Sequence, residues 1–230
     1  KTFTMQTMAL RMRRKGIQVF IIAPLKGHEF YRAARNVGGE FIQISPASKN
    51  CINIMEIRKV DNSVNELLDG PTLDASALAG KIQRLHIFFS LLIPDMSHEE
   101  KQLLDEALIK TYARKGITHK NESLTDPQHP EQYKKMPILE DVYNVLLESE
   151  DTKRLAHILN RLVHGSASSF NQQTNVDLTN KYTVLDISEL TGSSDLLTVG
   201  MFVALDYVWD KAKENRTEEK AIFVDEVWQL

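Results

Sequence analysis

The run Ile17–Ala23, IQVFIIA, is apolar on both faces from Val19 onward. Such a strand is stable only where both faces are covered, as in a parallel sheet with helices on each side. Its flanks agree. Phe3, Met5, Met8, Ala9 and Met12 repeat at helical spacing before it. Arg13, Arg14 and Lys15 suit the end of that helix, where partial negative charge collects, and Gly16 is its natural stop. Pro24 ends the strand. A second helix is predicted around Glu29 to Asn36, broken by Gly38-Gly39, with a short strand from Glu40 to Ile44 and a further strand from Cys51 to Ile57.

From about Ala75 to His164 the pattern becomes helical throughout. Leu78, Ile82, Leu85, Phe88 and Phe89 mark one helix. Ser97 with Glu100 forms a capping box ahead of Leu103, Leu104, Ala107 and Leu108. Pro137 suits the first turn of a third helix, and a fourth carries Leu155, Ile158, Leu159 and Leu162 up to Gly165. The polar stretch from Gly116 to Pro137 reads as a solvated connector, with a lid as the alternative. Strand character returns at Tyr182 to Ile187. A long helix follows from Ser194 to Glu214, buried along Leu197, Met201, Ala204, Leu205 and Val208, and then a buried strand from Ala221 to Val224. The order is that of an α/β sheet interrupted by an inserted helical sub-domain, with boundaries at 1–74, 75–165 and 166–230.

Composition narrows the functional classes. A chain of 230 residues, 42% hydrophobic, buries a sizeable core. Its net charge of -3 gives no bulk electrostatic case for nucleic acid or anionic membrane. Cys51 stands alone, so no internal disulfide forms, and a buried inert thiol is its expected role. The seven histidines show no paired metal spacing, and Trp209 and Trp228 read as packing residues. No apolar run approaches the ~20 residues that span a bilayer. The first residue is lysine, where a native start carries methionine, so we expect upstream sequence to have been removed. The basic opening segment is not read as a targeting peptide, because a strand follows it directly.

Two places carry chemistry. Near the end, AIFVDE is an apolar strand running into Asp225 and Glu226. Ligands of parallel sheets bind at the carboxyl ends of strands. An apolar strand ending in two acids is the Walker B pattern, in which one acid holds magnesium and the next polarises the attacking water. Adjacent strand residues point to opposite sides, which suits that division. Capping of a following helix reads equally well from this feature alone. At the start, Lys1 and Thr2 open directly into a helix, as the last residues of a phosphate loop do. There the lysine reaches the outer phosphates and the threonine hydroxyl binds magnesium. Asp186 ends the Tyr182 strand on the same edge, where turn capping is its expected role.

KTFTMQTMALRMRRKG, QVFIIAPLKGHEF, NQQTNVDLTNKYTVLDISEL and KAIFVDEVWQL, in that order, resemble the VirB-four type of conjugation and type IV secretion ATPase, a branch of the HerA/FtsK group. The resemblance runs over nearly the whole chain. It implies a P-loop NTPase (RecA-like) α/β fold, a mostly parallel sheet flanked by helices, with an inserted all-α sub-domain. It implies Mg-dependent ATP hydrolysis with ATP and Mg2+ as cofactors: Glu226 catalytic; Lys1, Thr2 and Glu29 binding nucleotide; Thr2 and Asp225 on the metal. The family's Asp-Pro after the first helix and strand is Ala23-Pro24 here, so only Glu29 is carried over from that segment. The implied assembly is a hexameric ring on secretion-channel proteins at the inner face of the membrane. Two alternatives stand beside the secretion motor: a HerA/FtsK-type DNA translocase, which the charge does not favour, and a non-catalytic docking domain on the same fold. With its phosphate loop incomplete, the isolated chain is expected not to turn over ATP.

Overall fold

The computed structural model describes residues 2–59 and 76–225. These divide into two compact units: 2–52 with 175–225, and 53–59 with 76–174.

The first unit is built on a four-stranded sheet. Helix α1 (Thr2–Arg14) turns through Lys15 and Gly16 into β1 (Gln18–Ala23). Gly16 sits at φ 89, the left-handed region in which only glycine is unstrained, so the helix stops where the sequence predicts. Helix α2 (Gly27–Asn36) and β2 (Glu40–Gln43) follow. After residue 175 come β3 (Tyr182–Asp186), a helix (Ser194–Lys213) and β4 (Lys220–Val224). The strand order is β2-β3-β1-β4 and every pairing is parallel.

Every residue of β1 and β3 is buried, as the two-faced apolar sequence of β1 requires; β3 also buries Thr183 and Asp186. Val19, Ile21 and Ala23 of β1 share a core with Tyr182 and Val184 of β3, Ala9 of α1, and Phe30 and Ala34 of α2. Phe20 and Ile22 alternate to the opposite face and are equally buried. The Ser194–Lys213 helix packs against β1. It buries Leu197, Met201, Ala204 and Val208 but leaves Leu205 half-exposed. Strand β4 departs from expectation: its five residues are only half-buried, because it lies at the end of the strand order and pairs on one side among the described residues.

The second unit is helical. It comprises α3 (Ala77–Leu92), α4 (His98–Arg114), α5 (Leu139–Leu146) and α6 (Lys153–Val163). In chain order the Ser194–Lys213 helix is α7. The capping box at α4 is complete: Ser97 Oγ accepts from Glu100 N at 3.1 Å, and Glu100 accepts from Ser97 N at 2.8 Å. Helix α5 starts two residues later than Pro137, because Asp141 accepts from the Ile138 amide at 2.8 Å and fixes the first turn there.

The expected strand at Cys51–Ile57 does not form. Side chains take the hydrogen bonds a neighbouring strand would have supplied. Asn53 N donates to Thr174 Oγ1 at 2.9 Å, and Met55 N to Asn53 Oδ1 at 3.0 Å. Lys81, fully buried, donates to the Ile54 carbonyl at 3.2 Å, and Tyr112 donates to that of Met55. A buried backbone group needs a partner but not a strand. The Asn171–Asn175 segment works likewise. Asn171 accepts from Glu140 N at 2.8 Å, Gln173 donates to the Met136 carbonyl at 2.8 Å, and Asn175 accepts from Cys51 N at 2.8 Å. Its polar composition thus serves to hold backbone.

Candidate nucleotide edge of the sheet

Because all four strands run parallel, their carboxyl ends fall on one edge. Ala23 of β1 is in register with Asp186 of β3, and Ile22 with Val224 of β4. Asp225, one residue on, donates its amide to the Ile22 carbonyl at 3.0 Å. Asp186 and Asp225 therefore flank the end of β1 from either side. Residues in register on parallel strands share a face, and Phe223, two residues before Asp225, packs in the core with α1 and α2. Both carboxylates thus belong to the α1–α2 side, and both residues are only 3% exposed.

Helix α1 brings its first turn to this edge. It packs on β1 and β4 and leads into the start of β1, so it runs antiparallel to the strands. Thirteen residues at about 1.5 Å each cover roughly the length of the strand. One contact fixes the arrangement: Gln6 Nε2 donates to the Glu29 carbonyl at 3.0 Å, joining the second turn of α1 to the first turn of α2. Thr2, first residue of α1, is half-buried, and Glu29 is exposed. The first turn of α1 carries no acidic residue, so its amides and positive dipole end keep their capacity for an anion. Thr2, Glu29 and Asp225 are thereby gathered at one edge; Lys1 and Glu226 lie outside the described residues.

Asp186 contributes more than turn capping. Its Oδ1 accepts from Ser188 N at 3.0 Å, the expected cap. Its carboxylate also fills the space beside Gly27, the first residue of α2. A β-carbon on Gly27 would lie 1.9 Å from Asp186 Cγ. That packing joins the edge of β3 to the start of α2. Sequence reading missed it because Gly27 carries no signal of its own; an aspartate ending a buried strand was the available clue.

The donor set fits a magnesium–phosphate ligand. Mg2+ takes hard oxygen ligands, keeps several waters, and is bound through one or two carboxylates plus substrate phosphates. One buried carboxylate and one hydroxyl at a helix start supply that. Among the described residues no cluster of three or more His, Cys, Asp or Glu could form an all-protein metal cage.

A mixed α/β chain with a parallel sheet, helices on the sheet and two acids at its carboxyl edge has the architecture of a P-loop ATPase domain. No family model matches the chain, and no curated protein matches it. Among solved structures it is similar to VirB4 of Thermoanaerobacter pseudethanolicus, with a TM-score of 0.83 and 26% sequence identity over 100% of this chain and 82% of that one. The resemblance carried by the sequence motifs thus has a counterpart in three dimensions: the match supports a VirB4-type ATPase fragment and suggests the type IV secretion ATPase family. Among the described residues no helix is long and apolar enough to cross a membrane.

Proposed function

We propose that the chain is the nucleotide-hydrolysing core of a motor subunit that energises type IV secretion or conjugative transfer. The reading rests on one observation above the others: the register that sets two buried aspartates on either side of Ala23, on the face that the first turn of α1 reaches. In this reading Thr2 and Asp225 hold Mg2+, and Lys1 and the free amides of α1 hold the phosphates. Glu29 borders the nucleotide from α2. Glu226, next along the chain from Asp225, orients the attacking water and takes its proton. Bound Mg2+ supplies charge neutralisation on the phosphates. Asp186 positions α2 through Gly27 and does not touch nucleotide. A hexameric ring docked on channel proteins at the inner face of the membrane belongs to the same proposal.

Glu226→Gln in the full-length protein separates binding from chemistry. Retained Mg-ATP binding with turnover reduced at least about a hundredfold is expected when a general base is removed. Turnover equal to the parent removes Glu226 from that role. Loss of binding together with turnover assigns it to the nucleotide pocket instead.

A further inference from the structure

Among the described residues Phe3 is the most exposed large apolar side chain, at 80%. The next are Trp209 at 58% and Ile87 at 51%, each on a different helix. Single exposed apolar residues of that kind are ordinary on a protein surface. Phe3 differs in degree and in place. It follows Thr2 in the first turn of α1, at the carboxyl edge of the sheet. A ring so little covered adds almost nothing to the core, so stability does not account for a phenylalanine there.

Helix geometry fixes which way the ring faces. Met5, Ala9 and Met12 lie in the core beneath α1, and Thr2 continues their stripe. Phe3 is one residue, about 100°, round from Thr2. It shares a row with Gln6, three residues on, whose side chain reaches the Glu29 carbonyl of α2. Phe3 therefore stands on the flank of α1 that faces the first turn of α2, where His28 and Glu29 are exposed. Helical side chains tilt toward the N-terminus. In the first turn of α1 that tilt carries the ring toward the helix start, beside the amides proposed to hold phosphate.

We propose, resting on the nucleotide reading of this edge, that Phe3 is the platform on which the base of the bound nucleotide stacks. Aromatic rings and nucleobases stack face to face, and every base has such a face. The site thereby tells a nucleotide from inorganic polyphosphate, and it separates adenine from guanine only weakly. A second copy of the chain is the competing occupant and fits less well. Thr4, His28 and Glu29, the exposed neighbours, are polar, so the ring offers one isolated apolar face and not the apolar centre of a subunit interface.

The test is isothermal titration calorimetry of the full-length protein in Mg2+ with ATP, GTP and inorganic tripolyphosphate, on the parent, Phe3→Ala and Phe3→Trp. The alanine variant binds ATP and GTP at least about fivefold more weakly, with tripolyphosphate affinity unchanged. The tryptophan variant keeps ATP affinity within about twofold of the parent or tightens it. ATP and GTP bind the parent within about tenfold of each other. If the parent binds tripolyphosphate and Phe3→Ala leaves ATP affinity unaltered, the phosphate site stands and the platform is overturned. Equal losses for ATP and tripolyphosphate mean that the ring only steadies the start of α1, which overturns it too. A parent that binds none of the three overturns the nucleotide reading and the platform with it. Light scattering on the same samples covers the other occupant: a smaller assembly in Phe3→Ala assigns the ring to a contact between copies and overturns the assignment.

Discussion

The α/β unit and the helical unit treat charge in opposite ways. In the helical unit, many ionisable groups are used on each other: Arg154 ties the start of α4 to Asp95, Glu148 is held below the usual carboxylate range by Lys110 and Arg114, and Lys115 meets Asp141 at 2.9 Å. On the α1–α2 side of the α/β unit they stand apart by sign, although its other elements carry ion pairs such as Lys181–Glu218 and Lys211–Glu214. Buried aspartates occupy the carboxyl edge of the sheet, and exposed arginines occupy the other end of the α1–α2 layer. Paired charges hold a structure in place, while charges kept apart remain available to a ligand. The comparison predicts that changes in the helical unit register as stability, and changes at the sheet edges as binding or turnover.

The largest expected effect is the loss of turnover in Glu226→Gln, with nucleotide binding kept. A comparable loss from any single surface substitution in α4 or α6 would break the contrast. Next comes Gly27→Ala. Its β-carbon has no room beside the Asp186 carboxylate, so either α2 or Asp186 must move. A destabilisation of about 1–3 kcal/mol is expected in chemical denaturation, accompanied by weaker nucleotide affinity. Destabilisation without any change in affinity would confine Asp186 to a packing role.

Ser97→Ala removes the α4 capping box and should cost about 1 kcal/mol with no effect on nucleotide affinity. A shift in affinity would show that the helical unit does more than hold itself together. The smallest effect is at Tyr182, fully buried, whose hydroxyl has no hydrogen-bond partner among the described residues. Burial pushes its pKa from 10.0 to about 12. Between those values the unfolded chain releases a proton that the folded one keeps, so stability falls as pH rises, and below pH 10 this group contributes no pH dependence. Tyr182→Phe should remove that alkaline loss and raise stability at neutral pH by up to about 1 kcal/mol. Lower stability in the phenylalanine variant would mean that the hydroxyl is satisfied.

Elements with strong local signals were legible in sequence. Ile17–Ala23 could only be a covered strand, Tyr182–Ile187 read as a strand, Gly16 ended α1 at a positive φ, and Ser97 with Glu100 set the start of α4. What sequence left hidden depends on partners far along the chain. Cys51–Ile57 has the composition of a strand, but Lys81, Tyr112 and Thr174 satisfy its backbone first. Ala221–Val224 is as apolar as a central strand yet lies at the end of the strand order. Of the site, the edge position of Thr2 and Asp225 followed from the α/β alternation, and Glu29 was named only through the family resemblance. The Gly27–Asp186 contact and the strand order that sets Asp186 and Asp225 on either side of β1 required the fold.

The central claim is that nucleotide binds at the carboxyl edge of the sheet. Hydrogen–deuterium exchange of the full-length protein with and without saturating Mg-ATP tests it most directly. Protection should concentrate in peptides covering Thr2 to Gln6, Gly27 to Phe30, and Val224 with Asp225, leaving Arg11 to Gly16 and Asn215 to Lys220 unchanged. Bound nucleotide that protects the amino edge, or leaves all three carboxyl-edge segments exchanging as before, would contradict it.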